Sequence, residues 1–195
     1  MSLKVITPSV NLPVELSEMK AHLYVIGSDD DTELTNKIQE VYFVAENFTH
    51  RSFLNATYEY AIDEFPSSDC IYLPRPPVVS VSKVEYYDTD GDLQEINMND
   101  FFVDTRSEPA KLVLKPGKSF PATEQGRPNA VIITFVAGYG SSHTSLPKDL
   151  KTAIKLLVAT AWENRQEDFV IQGVGIKSLP NGAWFTLWSY KWDKL

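Results

Sequence analysis

The apolar residues of this 195-residue chain change their spacing twice, and that double switch limits the architectures open to it. Up to about residue 52, and again from about residue 146, they recur at helical intervals. Between Phe53 and Gly140 they fall instead in short β-branched and aromatic runs, among them IYLPRPPVVSVSKVEYYDTDGD and VIITFVAGYG, divided by Pro, Gly and Asp clusters. A chain that reads helical, then strand-rich, then helical predicts an α+β fold. We expect a helical layer made of two N-terminal helices and a long C-terminal helix, an inserted antiparallel β unit, and a short aromatic C-terminal segment. The expected boundaries are 1–52 and 146–195 for the helical unit and 53–145 for the β unit. The connections between strands are mostly short, which favours an antiparallel sheet or small sandwich over a parallel sheet.

Within that frame, Val14 to Leu23 reads as a short helix, and Thr32 to Thr49 as an amphipathic one with Leu34, Ile38, Val41, Ala45 and Phe48 at helical spacing. Asp29, Asp30 and Asp31 precede it, where carboxylates cap the chain and suit the positive end of the helix dipole. Three consecutive side chains converge poorly on one ion, so capping outweighs a metal site. Strands are predicted at Thr57–Ile62, Ile71–Leu73, Val78–Tyr87, Leu93–Ile96, Phe101–Asp104, Lys111–Leu114 and Ala130–Ala137. The Asp88 to Asp92 run resembles a calcium loop only superficially. Gly91 follows Asp88 by too few residues for an EF-hand, so Asp-Gly here predicts a hairpin turn. A long helix is expected from Pro147 to about Gln166, with Leu150, Ala153, Ile154, Leu157, Val158 and Ala161 on one face. Gly173-Val174-Gly175 predicts a flexible stretch, and Pro180 the start of a further helix.

The chemistry that would mark an enzyme is missing from the sequence. His22, His50 and His143 are scattered, with no HExxH and no ligand-spaced partner. Gly138-Tyr139-Gly140 lacks a dinucleotide-binding context, and Pro116-Gly117-Lys118 lacks the rest of a phosphate loop. No GxSxG marks a nucleophile. Cys70 is the single cysteine, which excludes an internal disulfide framework and a multi-thiolate site. The expectation is a non-enzyme with no cofactor and no metal. Nor does any apolar run approach the roughly 20 residues that cross a bilayer, so no membrane partner is expected. MSLKVITPSVNLP carries no apolar stretch of signal-peptide length, which implies synthesis in the cytoplasm.

Charge points to partners. The net charge is −8, with 4 Lys/Arg against 8 Asp/Glu in residues 1–52, 7 against 13 in 53–145, and 7 against 5 in 146–195. An acidic chain grips nucleic acid poorly, because that affinity comes mostly from cations neutralising phosphates. Trp184, Trp188 and Trp192 are spaced i, i+4 and i+8, and with Phe185, Leu187 and Tyr190 they put a large aromatic area into the last residues. That concentration predicts a partner interface; the alternative is a segment folded back on its own subunit. Lys148, Lys151 and Lys155, at i, i+3 and i+7, form one basic face of the long helix, which reads as a solvated face or, alternatively, as a basic strip facing DNA.

The order of pieces resembles the head-tail connector proteins of long-tailed bacteriophages, also called adaptor or head-completion proteins. The resemblance is carried by LPVELSEMKAHLYV, DDDTELTNKIQEVYFVAENFTHRSF, IYLPRPPVVSVSKVEYYDTDGD, FVAGYG, LPKDLKTAIKLLVATAWENRQ and LPNGAWFTLWSYKW, which together span most of the chain. It implies a structural protein of the virion neck, made in the host cytoplasm, whose copies form a ring between portal and tail. Its implied partners are the portal protein, tail or neck proteins and further copies of itself. DNA would pass through the lumen, with weak non-specific contact that Lys148, Lys151 and Lys155 could line. The chain departs from the family pattern at Glu15, where a capping Ser or Thr is expected, and at Lys191, where an arginine is expected. A different class of reading, set against this one, is a free-standing β-type binding module for carbohydrate or peptide.

Overall fold

The structure, a computed structural model, describes residues 1–164 and 181–192. The chain folds as two compact units, one formed by residues 1–9 with 55–138, the other by 10–54 with 139–195. The first is all β apart from one 3-10 turn at Met98–Asp100, and the second is helical. The α+β architecture expected from the sequence is the one observed.

The β unit opens with β1 (Ser2–Thr7), followed by β2 (Ala56–Ile62), β3 (Cys70–Leu73), β4 (Val78–Tyr87), β5 (Leu93–Ile96), β6 (Phe101–Asp104), β7 (Ala110–Leu114) and β8 (Val131–Ala137). They form a five-stranded sheet in the order β1-β2-β8-β4-β5 and a three-stranded sheet in the order β3-β7-β6, with antiparallel pairing throughout. The alternating pattern of β8, with Val131, Ile133, Phe135 and Ala137 inward, explains its central place. Tyr58, Ile71, Leu73, Val84, Phe101, Leu112 and Leu114 from both sheets join it in one apolar core, and Tyr58 stacks on Phe135 at 5.6 Å. The turn between β4 and β5 is the predicted hairpin. Asp88 accepts backbone N–H bonds from Asp90 and Asp92 through its carboxylate and from Gly91 through its carbonyl, and Gly91 takes the left-handed φ of 85° that the turn requires.

The helical unit contains α1 (Leu16–Leu23), α2 (Asp31–Thr49), α3 (Lys148–Glu163) and α4 (Asn181–Tyr190). Met19 from α1, Leu34, Ile38, Val41 and Ala45 from α2, Leu150, Ile154, Leu157 and Val158 from α3, and Ala183 and Leu187 from α4 share a second core. The wide apolar face predicted for α3 is the face that is buried. Glu46, in the last turn of α2, is buried too, and its carboxylate accepts the Phe53 N–H at 2.5 Å where the chain leaves the helix.

Several boundaries differ from expectation. Residues 1–9, expected beside the helices, form strand β1 and belong to the β unit. Its residues face solvent on both sides of the strand, so no in-and-out alternation marks it, and its pairing with β2 spans more than fifty residues of sequence. Conversely, residues 139–145 lie in the helical unit, where Tyr139 N–H bonds the Phe53 carbonyl at 3.1 Å. Pro147 precedes α3 as its N-cap residue rather than opening it. The side chain of Asp30, the N-cap of α2, makes no capping bond; Asp31 sits in the first turn and pairs with Lys20 at 2.5 Å. Gln166, the glycine-bearing stretch and Pro180 fall outside the described residues.

Candidate functional site

The aromatic segment divides into a buried side and an exposed side. α4 lays Ala183 and Leu187, four residues apart, into the core formed with α2 and α3. Trp184 packs on Phe48 of α2, ring centroids 4.3 Å apart. Tyr190 donates its hydroxyl to Asp149 of α3 at 2.9 and 3.0 Å, while its carbonyl accepts from Arg51 Nε at 2.5 Å. Burial, reinforced by the Asp149 carboxylate, pushes the Tyr190 phenol up to about 12. Trp192 lies past the end of the helix, so it does not continue the Trp184–Trp188 spacing; its N–H bonds the Thr49 carbonyl at 2.8 Å and closes the C-terminus of α2.

Phe185 and Trp188 are turned the other way, with 74% and 58% of their surfaces exposed. Lys191 holds its ammonium 5.7 Å from the Trp188 ring and 5.8 Å from Phe48, a cation–π position at the border between the two sides. Of the six residues predicted to meet a partner, Trp184, Leu187, Tyr190 and Trp192 therefore have contacts within their own unit, and Phe185 and Trp188 form the outward pair. What distinguishes them is the phase of α4, which sequence spacing of tryptophans alone misses because the inward stripe is made by Ala183 and Leu187.

The basic face of α3 is also split. Lys151 reaches both carboxylate oxygens of Glu18, at 2.6 and 2.9 Å, and Lys155 stands 3.6 Å from the same group. Lys151 also lies 3.0 Å from His143 Nδ1; an ammonium can only donate, so Nδ1 accepts and the ring proton sits on Nε2, 2.8 Å from Glu15. Glu15 thus faces His143 and makes no side-chain cap for α1. The hydrogen bond from Lys151, aided by the fields of Lys151 and Lys155 and opposed by partial burial, holds the Glu18 carboxyl below the ordinary glutamate range. Lys148 is exposed, and is the member of the three left to meet an external anion.

Among the described residues no cluster of His, Cys, Asp or Glu is arranged to hold a metal ion, and no helix is long and apolar enough to cross a membrane.

No protein-family model matches the sequence, and no curated protein matches it. Solved structures share its fold over the whole length. A chain in the neck of an empty gene transfer agent (GTA) particle, computed with C6 symmetry, superposes with a TM-score of 0.82 at 21% identity, covering 100% of this chain and 97% of that one. A chain in the virion of a native GTA particle gives 0.77 at 20%, and one in the neck of a native GTA particle, computed with C12 symmetry, gives 0.76 at 21%, both with the same coverage. Both units of the fold are thus reproduced in those chains.

Proposed function

We propose that this protein is a structural component of the neck of a tailed, phage-like particle, where its copies form a ring between portal and tail that completes the filled head and passes DNA through its lumen. The observation that carries this reading is the match of the entire chain, helical and β units together, to chains of particle necks treated with six- and twelve-fold symmetry. At 20–21% identity that match concerns shape, and the functional step from shape to neck is the proposal. The resemblance seen in the sequence motifs points the same way independently. Phe185 and Trp188 are proposed as contacts with a neighbouring copy or with the portal, since exposed tryptophan at a helix surface is a frequent interface anchor. Lys148 is proposed to touch passing DNA weakly.

Deleting the gene from its particle-producing host tests the reading. Filled heads without tails, or heads that leak DNA, are expected, with tails restored by supplying the protein in trans. Tailed, DNA-retaining particles from the deletion strain, or particles whose purified form lacks the protein by mass spectrometry, would overturn it.

A further inference from the structure

The five-stranded sheet ends in β1 on one side and β5 on the other, and among the described residues no strand pairs with either outer edge. All six residues of β1 are exposed, Val5 at 48%, and three of the four in β5 are exposed, Leu93 at 50%. Every neighbouring pair in this sheet is antiparallel, so the first and fifth strands run in the same direction.

The two edges are chemically opposite. β1 carries Lys4 and no acid; residues 88–96, the turn and strand of the other edge, carry Asp88, Asp90, Asp92 and Glu95 and no base. Register fixes the faces. Val5 pairs with buried Tyr58, so Leu3 and Val5 lie on the core side and Lys4, opposite Glu59, on the outer side. On the far edge Ile96 pairs with buried Val84, so Gln94 and Ile96 lie on the core side and Glu95, opposite Glu85, on the outer side. Lys4 and Glu95 therefore point to the same face of the sheet. Between them that face holds Glu59, Thr134, Lys83 and Glu85, with Lys83 bonded to Glu85 at 2.7 Å. Glu95 acts on Lys83 as well, so toward β5 this face holds Glu85 and Glu95 against Lys83, while Glu59 acts on Lys83 from β2. Among the described residues Lys4 and Glu95 enter no ion pair within 4.0 Å.

We propose that β1 of one copy of this chain pairs in parallel with β5 of the next copy, Lys4 beside Glu95, so that the sheet runs on from subunit to subunit. This deepens the ring reading and rests on it for closure: contact between unlike edges is heterologous and propagates until it closes. Pairing of like edges is opposed, because a two-fold β1–β1 contact sets Lys4 against Lys4 and a β5–β5 contact sets Glu95 against Glu95. The irregularity between Val5 and Thr7 restricts the regular part of β1 to Ser2–Val5, which matches β5 in length. Four residue pairs bury far less than the ~1,000 Å² of a stable complex, so the contact is weak between free copies and gains strength when a ring closes around a template.

Disulfide trapping tests this in the full chain. In a Cys70→Ala background, Lys4→Cys and Glu95→Cys are combined, the concentrated protein is oxidised with copper phenanthroline, and products are resolved without reductant. The two sites lie four strand spacings apart within one subunit, roughly 19 Å, which rules out an internal disulfide. Dimers, trimers and higher steps that collapse on reduction are expected, while each single-cysteine variant stays monomeric. Leu3→Cys with Gln94→Cys, the core-side pair of the same register, is expected to give the same ladder. An unchanged melting temperature in the reduced state shows that the fold is intact. No ladder from either pair, or dimers from Lys4→Cys alone, overturns the proposal. Probing purified particles separates it from the ring reading: variant chains present in necks without cross-links defeat the edge pairing and leave the ring, whereas a ladder in solution with no chain in particles defeats the neck assignment and leaves the pairing.

Discussion

The helical unit and the five-stranded sheet handle charge in opposite ways. On α3, two of three lysines are turned onto Glu18, His143 is held between Lys151 and Glu15, and Tyr190 is tied to Asp149. On the sheet, Lys4 stands at one edge and Glu95 at the other, each unpaired within 4.0 Å among the described residues. Apolar surface does not follow that division: Leu187 is buried by its own unit, yet Phe185 and Trp188 on the same helix are exposed, and Val5 and Leu93 on the sheet are half in water. A basic face or an aromatic run read from sequence is therefore weaker evidence for a partner than an edge whose complement lies on the opposite side of the same sheet.

The largest test of that contrast is truncation of an apolar side chain on each side of it. Leu187→Ala opens a cavity among α2, α3 and α4 and is expected to cost about 2–5 kcal/mol. Leu3→Ser on β1, whose side chain keeps 38% of its surface in water, is expected to cost less, about 1 kcal/mol. Chemical denaturation of both variants decides, and equal losses would erase the distinction. Next in size comes Glu46→Ala. It leaves the Phe53 N–H without its acceptor in a buried position, which costs about 1–3 kcal/mol. A change indistinguishable from zero would mean that water replaces the carboxylate there.

What the sequence made legible follows the same physics. Element positions were readable to within a residue or two where one face is buried: the apolar stripe of α3 and the alternation of β8 are direct consequences of periodic burial. β1 was illegible because neither of its faces is buried deeply enough to impose an alternation. Glu46 looks like any solvent-facing helix glutamate until the chain is seen to turn back at Phe53. The tryptophan spacing predicted a single face, but α4 ends at Tyr190 and its inward stripe is Ala183 and Leu187, of which an alanine carries little signal. Faces of edge residues such as Lys4 and Glu95 depend on pairings between distant strands, which local pattern does not encode.

A smaller effect is expected from acid. The folded-state pKa of Glu18 is lowered, so the unfolded chain binds more protons than the folded one in the window below the ordinary glutamate value of 4.5. The contribution of this group is present above that pH and lost as pH falls through the lower folded value. Glu18→Gln should therefore flatten the acid limb of the stability curve and leave its alkaline limb unchanged, as measured by thermal melts across pH. An acid limb identical to that of the parent would show that solvent screens the Lys151 pair to insignificance.

The smallest expected effect on the isolated subunit is the one most informative about assembly. Phe185 and Trp188 are exposed at the surface of a helix whose inner stripe is already filled, so Phe185→Ala with Trp188→Ala should change unfolding free energy by no more than about 0.5 kcal/mol. If the pair anchors a neighbour in a ring, the same double variant should be incorporated into particles poorly despite its normal stability, since tryptophan truncation at an interface centre often costs 2 kcal/mol or more per contact. Trp184→Ala supplies the control: its ring packs on Phe48, so it should destabilise the subunit itself. Comparing incorporation at matched stability separates the two sides of α4, and normal incorporation of the Phe185/Trp188 variant would confine any interface to surfaces elsewhere, the open sheet edges first among them.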